Sequence, residues 1–184
     1  MTTETISRRR DPFLISSDRT LLSLPAIAAA FASPALYWCK PLPAPQLRLC
    51  LDNSFCLGLY HDLPASPTPP SALATPPAPA PASAPAPEQI GLVRFITDYT
   101  TFAYLTDVYV VPEYQGKGLG KWLVQVADEV LGGMGDLRRA LLMAGEEQGR
   151  AFYEGELGFK VLEQGRGGLW VLSRTGRGAT ERMV

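Results

Sequence analysis

An α/β fold, with a mixed, mainly antiparallel central sheet flanked by helices, is the architecture this sequence predicts, and three observations carry the prediction. First, "SFCLGLYHD" and "QIGLVRFIT" are rich in aromatic, aliphatic and β-branched residues, as strands are. They flank a stretch from Pro64 to Pro87 made almost wholly of Pro, Ala, Ser and Thr. The pair reads as an antiparallel hairpin whose turn is replaced by a disordered insertion. That composition cannot bury enough apolar surface to offset its ordering entropy, and loop-closure cost grows only slowly with length. Second, "FAYLTDVYVV" (Phe102 to Val111) is a strand that Pro112 closes, because proline cannot donate to a ladder. Third, residues 118–131 place Leu119, Trp122, Leu123, Val126 and Val130 on one face of a helix.

The other elements follow in order. "FLISS" is a first strand. "SLPAIAAAFA" is a helix with Ser23 as N-cap and Pro25 in its first turn. "APQLRLCLDN" is a second short helix presenting Leu47, Cys50 and Leu51 on one face. Beyond the long helix, "RRALLMA" is strand-like, "QGRAFYEGE" a short helix, and "GFKVLEQ" with "GLWVLSR" a closing pair of strands. The predicted order is β-α-α-β-β-β-α-β-α-β-β. It forms a single domain over residues 11–173, with the Pro/Ala-rich insertion at 64–87 inside it and a flexible polar tail at 174–184.

Composition narrows the function. A net charge of -1 gives no electrostatic case for a nucleic-acid binder. Cys39, Cys50 and Cys56 are odd in number and lack CxxC spacing, and the chain has 1 histidine, His61; no zinc site follows, and no metal is expected. Free, mostly buried thiols point to a reducing compartment and a cytoplasmic location. The basic N-terminus followed by an apolar run resembles a targeting signal, but Glu4, Asp11 and Asp18 interrupt it. The apolar part, Leu21 to Leu36, is broken by Pro25 and Pro34 and is shorter than the ~20 residues a bilayer requires. A buried helix and no membrane contact are the expectation. The Pro-rich run is read as a spacer, with an SH3- or WW-type ligand as the alternative.

The chemistry concentrates in "VVPEYQGKGLGKWL", where Gly116, Gly118 and Gly120 alternate between a strand and a helix. The first N–H groups of a helix lack internal partners and its dipole presents positive charge there, so glycines that admit close approach make an anion site, with Lys117 and Lys121 adding charge. A P-loop does not fit: three residues separate Gly116 from Gly120, and Trp122 stands where Ser or Thr must hold magnesium. A Rossmann fingerprint fails because Lys121 occupies the third glycine position.

Gln115-Gly116-Lys117-Gly118-Leu119-Gly120 resembles the [QR]-x-x-G-x-[GA] loop of the GCN5-related N-acetyltransferases (GNAT). A second signature of that family, an aromatic-Tyr pair before Gly-Phe, is present as Phe152-Tyr153 and Gly158-Phe159, with one residue more between them than is commonest. The resemblance spans about Phe13 to Leu172 and implies a GNAT-like sheet that binds acetyl-CoA as cosubstrate. It implies that Val110 and Val111 pair with the pantetheine arm, and that the amides of Gln115, Gly116, Lys117, Gly118, Leu119 and Gly120 hold the pyrophosphate. The N–H of Val110 would steady the oxyanion and Tyr153 would be the general acid. Asp107 is the candidate base, although the acidic pair of polyamine-type relatives is here Thr106-Asp107. Asp98 is expected to face the substrate cleft. Tyr37 and Trp38 occupy the region that lids the acceptor site and either clamp an amine or pack as core. His61 is a bystander more than a base. The implied activity is acetyl transfer to a primary amine of a small molecule by direct attack on the thioester, a homodimer being left open. The alternatives are a protein (lysine or N-terminal) acetyltransferase and a non-catalytic acyl-CoA-binding protein.

Overall fold

The computed structural model describes residues 5–62 and 86–180, so all but the last two residues of the insertion predicted at 64–87 lie outside it. Along the described residues run β1 (Ser7–Arg10), β2 (Phe13–Ser16), α1 (Leu24–Ala32), α2 (Ala44–Asp52), β3 (Phe55–His61), β4 (Glu88–Thr97) and β5 (Phe102–Val110). Then come α3 (Leu119–Gly133), β6 (Arg139–Ala144), α4 (Glu147–Leu157), β7 (Lys160–Gln164) and β8 (Trp170–Thr175). The strands form one sheet in the order β1-β2-β3-β4-β5-β6-β8-β7, antiparallel throughout except between β5 and β6. The mixed α/β architecture is the one the sequence predicts, with one strand added in front. That strand, "SRRR", is exposed at every residue, so it has no apolar alternation to read; pairing from Ser7↔Ser16 to Arg10↔Phe13 places it in the sheet.

Helices cover both faces. On one, Ile27 and Phe31 of α1, Leu36, and Leu47 and Leu51 of α2 pack against Leu92 and Tyr109. Ser23 caps α1, its Oγ accepting from the Ala26 N–H at 3.3 Å. On the other face, the predicted stripe of α3 meets Leu57, Leu59, Val93, Phe95 and Leu105, joined by Leu157 and Phe159 beside it. Each fully buried Leu of that stripe contributes about 1.5–3 kcal/mol relative to an exposed one. The β3–β4 hairpin is present in register from Phe55↔Phe95 to His61↔Glu88, so the insertion leaves from its end. Among the described residues no helix is long and apolar enough to cross a membrane; the suspect N-terminal run contains α1, 9 residues long.

Two expected boundaries move. The domain begins before residue 11, because Ile6 accepts from the Ser17 N–H at 2.9 Å and packs on the core. The tail is docked well past residue 173: Arg174 ion-pairs with Asp128, and the N–H groups of Gly176 and Gly178 reach the carbonyls of Arg138 (3.2 Å) and Leu137 (2.9 Å). A Cβ on either glycine would collide with backbone oxygen, of Leu137 or Asp136, so polar composition there marks close backbone packing and not fraying. On β3, the fully buried Tyr60 lies over Gly58 with its hydroxyl unpartnered among the described residues.

Candidate active site

A gap in the middle of the sheet creates the site. β5 and β6 pair in parallel only from Phe102↔Arg139 to Leu105↔Leu142, although β5 continues to Val110 and β6 to Ala144. The divergence begins where the β4–β5 register slips between Leu92 and Arg94, placing Thr106 opposite Arg94 and Tyr109 opposite Leu92. Asp107 sits in this bulge with φ 50°, and a bulge bends and overtwists its strand. The resulting cleft, of about 400 Å³, runs between the C-terminal end of β5 and the start of α3.

The end of β5 forms one wall. Val111 donates its N–H to Ile90 at 2.9 Å, so by the alternation of the ladder Val110 turns its N–H and C=O away from β4, into the gap. The Val110 carbonyl accepts from the Gln115 side-chain Nε2 at 2.7 Å, which ties the loop back to the strand. Both backbone groups of Val111 are engaged, the carbonyl by the Tyr114 N–H at 3.0 Å. Of the two residues expected to pair with an added arm, Val110 alone presents its N–H to the cleft.

The glycine loop forms the other wall. Gly116 and Gly118 have φ of 75° and 74°, which only glycine adopts at little cost, and Gly118 is the N-cap of α3 without a side-chain cap. A Cβ at either would meet nothing within 4 Å, so backbone conformation, not crowding, requires glycine there. Gly120 differs: it lines the cleft, and a Cβ on it would touch only Val110 Cγ2 at 3.9 Å. The Gln115 N–H belongs to a tight turn, donating to Pro112 at 3.1 Å, which removes it from the expected donor set. The first bond of the helix is Trp122 N–H to Gly118 O at 3.0 Å, so the amides from Gly116 to Lys121 have no partner among the described residues. The lysines are placed less directly than their charge suggests. Lys121 lines the cleft but pairs with Glu156 at 2.8 Å, and the Lys117 ammonium lies 4.7 Å from the centre of the Tyr114 ring.

Tyr153 enters the cleft from α4 beside Phe152, its partner in the aromatic-Tyr pair, which lines it too. Burial pushes the Tyr153 phenol up to about 12, and its hydroxyl has no hydrogen-bond partner among the described residues. The extra residue before Gly158-Phe159 is absorbed at the end of α4, where the Tyr153 carbonyl accepts the N–H of Gly158, itself at φ 64°. Trp38 lines the cleft from the α1–α2 connection, with Ala35 and Leu36 beside it. Tyr37 packs edge-on against Trp38 at 5.2 Å, outside the lining.

Two expected site residues, Asp98 and Asp107, lie elsewhere, as does His61, the expected bystander. Asp98 is a turn-former at the far end of the β4–β5 hairpin: its carboxylate accepts from the N–H groups of Thr100, Thr101 and Phe102 at 2.7–3.0 Å and from the Thr101 hydroxyl at 2.6 Å. Those bonds hold its pKa well below the usual carboxylate range, the Thr101 hydroxyl foremost. Asp107 is absent from the cleft walls. Its Oδ2 accepts from Arg94 Nε at 2.6 Å, both side chains nearly buried, and Arg94 also bonds Ser54 Oγ at 2.9 Å. The carboxylate that the family resemblance offered as a base is therefore one half of a buried ion pair. His61 lies outside the cleft, its Nδ1 2.9 Å from the Tyr114 hydroxyl, which donates to Glu88 Oε2 at 2.9 Å. The Arg94 partner was beyond sequence reading, because 13 residues and a bulge separate it from Asp107.

The geometry brings together in one cleft a splayed strand end, a run of amides at a helix N-terminus with no partner among the described residues, and a phenol that burial keeps neutral. Comparison with known proteins gives the family. A model described as the acetyltransferase (GNAT) family matches residues 72–159. A curated protein of Gibberella zeae named "Putative acetyltransferase" is 42% identical over 134 residues, which is 73% of this chain and 72% of that one. Among solved structures, a GNAT-family protein of Xanthomonas campestris aligns with a TM-score of 0.57 and 26% identity over 80% of this chain and 84% of its own. The spermidine N-acetyltransferase of Vibrio cholerae, solved with CoA and spermine, shares the fold at a TM-score of 0.61 and 17% identity, over 90% of this chain and 96% of its own. The chain belongs to the GNAT family of acetyltransferases and is an acyltransferase.

Proposed function

We propose that the protein transfers an acetyl group from acetyl-CoA to a primary amine of a small molecule, without a covalent acyl-enzyme. The observation that carries this is the Tyr153 hydroxyl, without a hydrogen-bond partner among the described residues, in the cleft into which Val110 turns its N–H.

The residues present fit acetyl-CoA. The run of unpartnered amides from Gly116 to Lys121 suits a pyrophosphate, and two glycines in the left-handed region hold that run concave. The N–H of Val110 suits either a strand-like bond to the pantetheine arm or the developing oxyanion. When bound, the thioester supplies an activated acyl carbon. The amine nitrogen bonds to that carbon, the carbon–sulfur bond breaks, and Tyr153 gives its proton to the departing thiolate. Burial suits Tyr153 to this task, because it keeps the phenol protonated throughout the neutral range. No carboxylate lines the described cleft, so the amine reaches the thioester neutral, any ammonium proton having gone to water at the mouth. The N–H proton shed as the amide forms passes through water and restores the Tyr153 phenol, and Asp107 takes no part in the transfer.

Thermal unfolding with acetyl-CoA, beside ATP and NAD, tests the reading. A ligand at 100 times its Kd adds about 2.7 kcal/mol, which at roughly 2–4 °C per kcal/mol is a rise of about 5–10 °C for acetyl-CoA alone. Tyr153→Phe is expected to keep that rise while kcat falls about 10²–10⁴-fold. Absence of a rise with saturating acetyl-CoA overturns the proposal. A retained rise without turnover of any amine by the wild type favours a non-catalytic acyl-CoA binder.

A further inference from the structure

The two ends of the cleft differ in chemistry. One end is the amide run of the glycine loop. The other is closed by the strap between α1 and α2, residues 35–38, which contributes Ala35, Leu36 and Trp38 to the walls. The strap reaches across to the start of α4: the Tyr37 hydroxyl lies against Gly145, where any Cβ would collide with it. Tyr37 and Trp38 remain 64% and 51% exposed despite their size, and they meet edge to face at 5.2 Å. Two large aromatics held at a cleft mouth, one in its wall and one bridging its rim, present a flat apolar surface that the described residues leave half open or more.

Charge at this end is as informative as shape. The described walls hold apolar side chains, glycines, Tyr109, Tyr153, Gln115 and Lys121, and no carboxylate. The acids of β5 and α4 are already matched. Asp107 is held by Arg94, Glu156 by Lys121, and Glu147 and Glu154 by Arg150. Glu146, next to Gly145, is exposed to solvent and outside the walls. A second ammonium of a polyamine, or the cationic side chains of a basic peptide, would lose water on entering these walls, with no carboxylate among the described lining residues to receive it. A flat apolar body would bury area against Trp38, Leu36 and Phe152 without that cost.

We infer that the acceptor is a monoamine whose single nitrogen is borne by an aromatic or similarly flat apolar body, and that Trp38 selects it. This rests on the acetyl-transfer reading above. The test measures thiol release at saturating acetyl-CoA with 2-phenylethylamine and tryptamine against spermidine and a lysine-rich peptide, for the wild type, Trp38→Ala and Trp38→Phe. The expected result is a kcat/KM at least about tenfold higher for the aromatic monoamines, about 1.4 kcal/mol of discrimination. Trp38→Ala is expected to raise their KM about tenfold and Trp38→Phe to restore most of it, both variants keeping the thermal rise with acetyl-CoA. Spermidine or peptide turned over as fast as the aromatic amines overturns the inference and leaves acetyl transfer standing. So does a KM shift in Trp38→Ala that is equal for all acceptors, or a wild type that binds acetyl-CoA yet acetylates neither aromatic amine. Loss of the acetyl-CoA thermal rise in the wild type overturns the parent reading, and this inference with it.

Discussion

Asp107 illustrates how a residue's surroundings decide its role. Its φ of 50°, uncommon for any residue but glycine, asparagine or aspartate, puts the carboxylate at the bulge where Arg94 reaches it at 2.6 Å. Asparagine tolerates the same backbone, so Asp107→Asn removes the charge without the turn. Leaving Arg94 buried and unpaired is expected to cost about 3–5 kcal/mol of stability, read by urea unfolding, with kcat changed less than threefold below the unfolding range. A hundredfold loss of kcat in the folded variant would return Asp107 to the chemistry. Burial also makes the tyrosines sensitive to alkali. The phenol of Tyr153 is pushed to about 12, and those of Tyr60 and Tyr109 are raised further, each by desolvation first. The unfolded chain releases these protons above about pH 10 while the folded protein retains them. Stability is therefore expected to fall as pH rises from about 10 towards 12, and these groups give no slope below about pH 9. Tyr60→Phe removes a hydroxyl without a partner among the described residues. It is expected to leave the midpoint at pH 7 unchanged or higher and to flatten the alkaline decline, measured by circular dichroism along a pH series.

At the scale of elements, the glycine loop and α3 were legible because their signals are local. A strand closed by Pro112, glycines at alternate positions and a 3.6-residue apolar stripe all fall between Phe102 and Leu131. Gly118 joins the two elements. In Gly118→Ala the left-handed φ of 74° costs about 1–2 kcal/mol. Since no side chain obstructs the site, the expected outcome is a modest loss of stability with a larger loss of acetyl-CoA affinity, measured by calorimetric titration. Unchanged affinity would mean that the amides of this loop do not hold the ligand. β1 was illegible for the opposite reason. Arginines have no face preference to display, and its place in the sheet is decided by hydrogen bonds to β2, by Arg8 pairing with Glu129 at 2.7 Å, and by Arg10 lying 4.8 Å from the Trp122 ring centre. The docked tail escaped in the same way, because the fit of Gly176 and Gly178 against 136–137 belongs to a distant segment.

For the whole molecule, the hairpin that carries the insertion is already in register at its open end, His61 opposite Glu88. Replacing residues 64–86 with a short turn, with both of those residues kept, is expected to leave the unfolding midpoint within a few degrees and acetyl transfer intact, since closing a shorter loop costs no more. Loss of activity with the fold retained would instead give the Pro-rich run a role of its own. The sequence by itself determined the class of fold, the hairpin, the order of all elements but β1, and the glycine loop that led to the family. Each of those is written in neighbouring residues, as periodicity, turn chemistry or a motif. Tertiary structure alone decided which of two valines faces the cleft, that Gln115 ties the loop back through its side chain, that Asp98 builds a turn, that Asp107 answers to Arg94, and that Trp38 joins cleft walls whose described residues include no carboxylate. Those outcomes depend on a bulge and on pairings between distant segments, and a strand's own alternation cannot reveal which partner a side chain meets once the register has slipped by one residue.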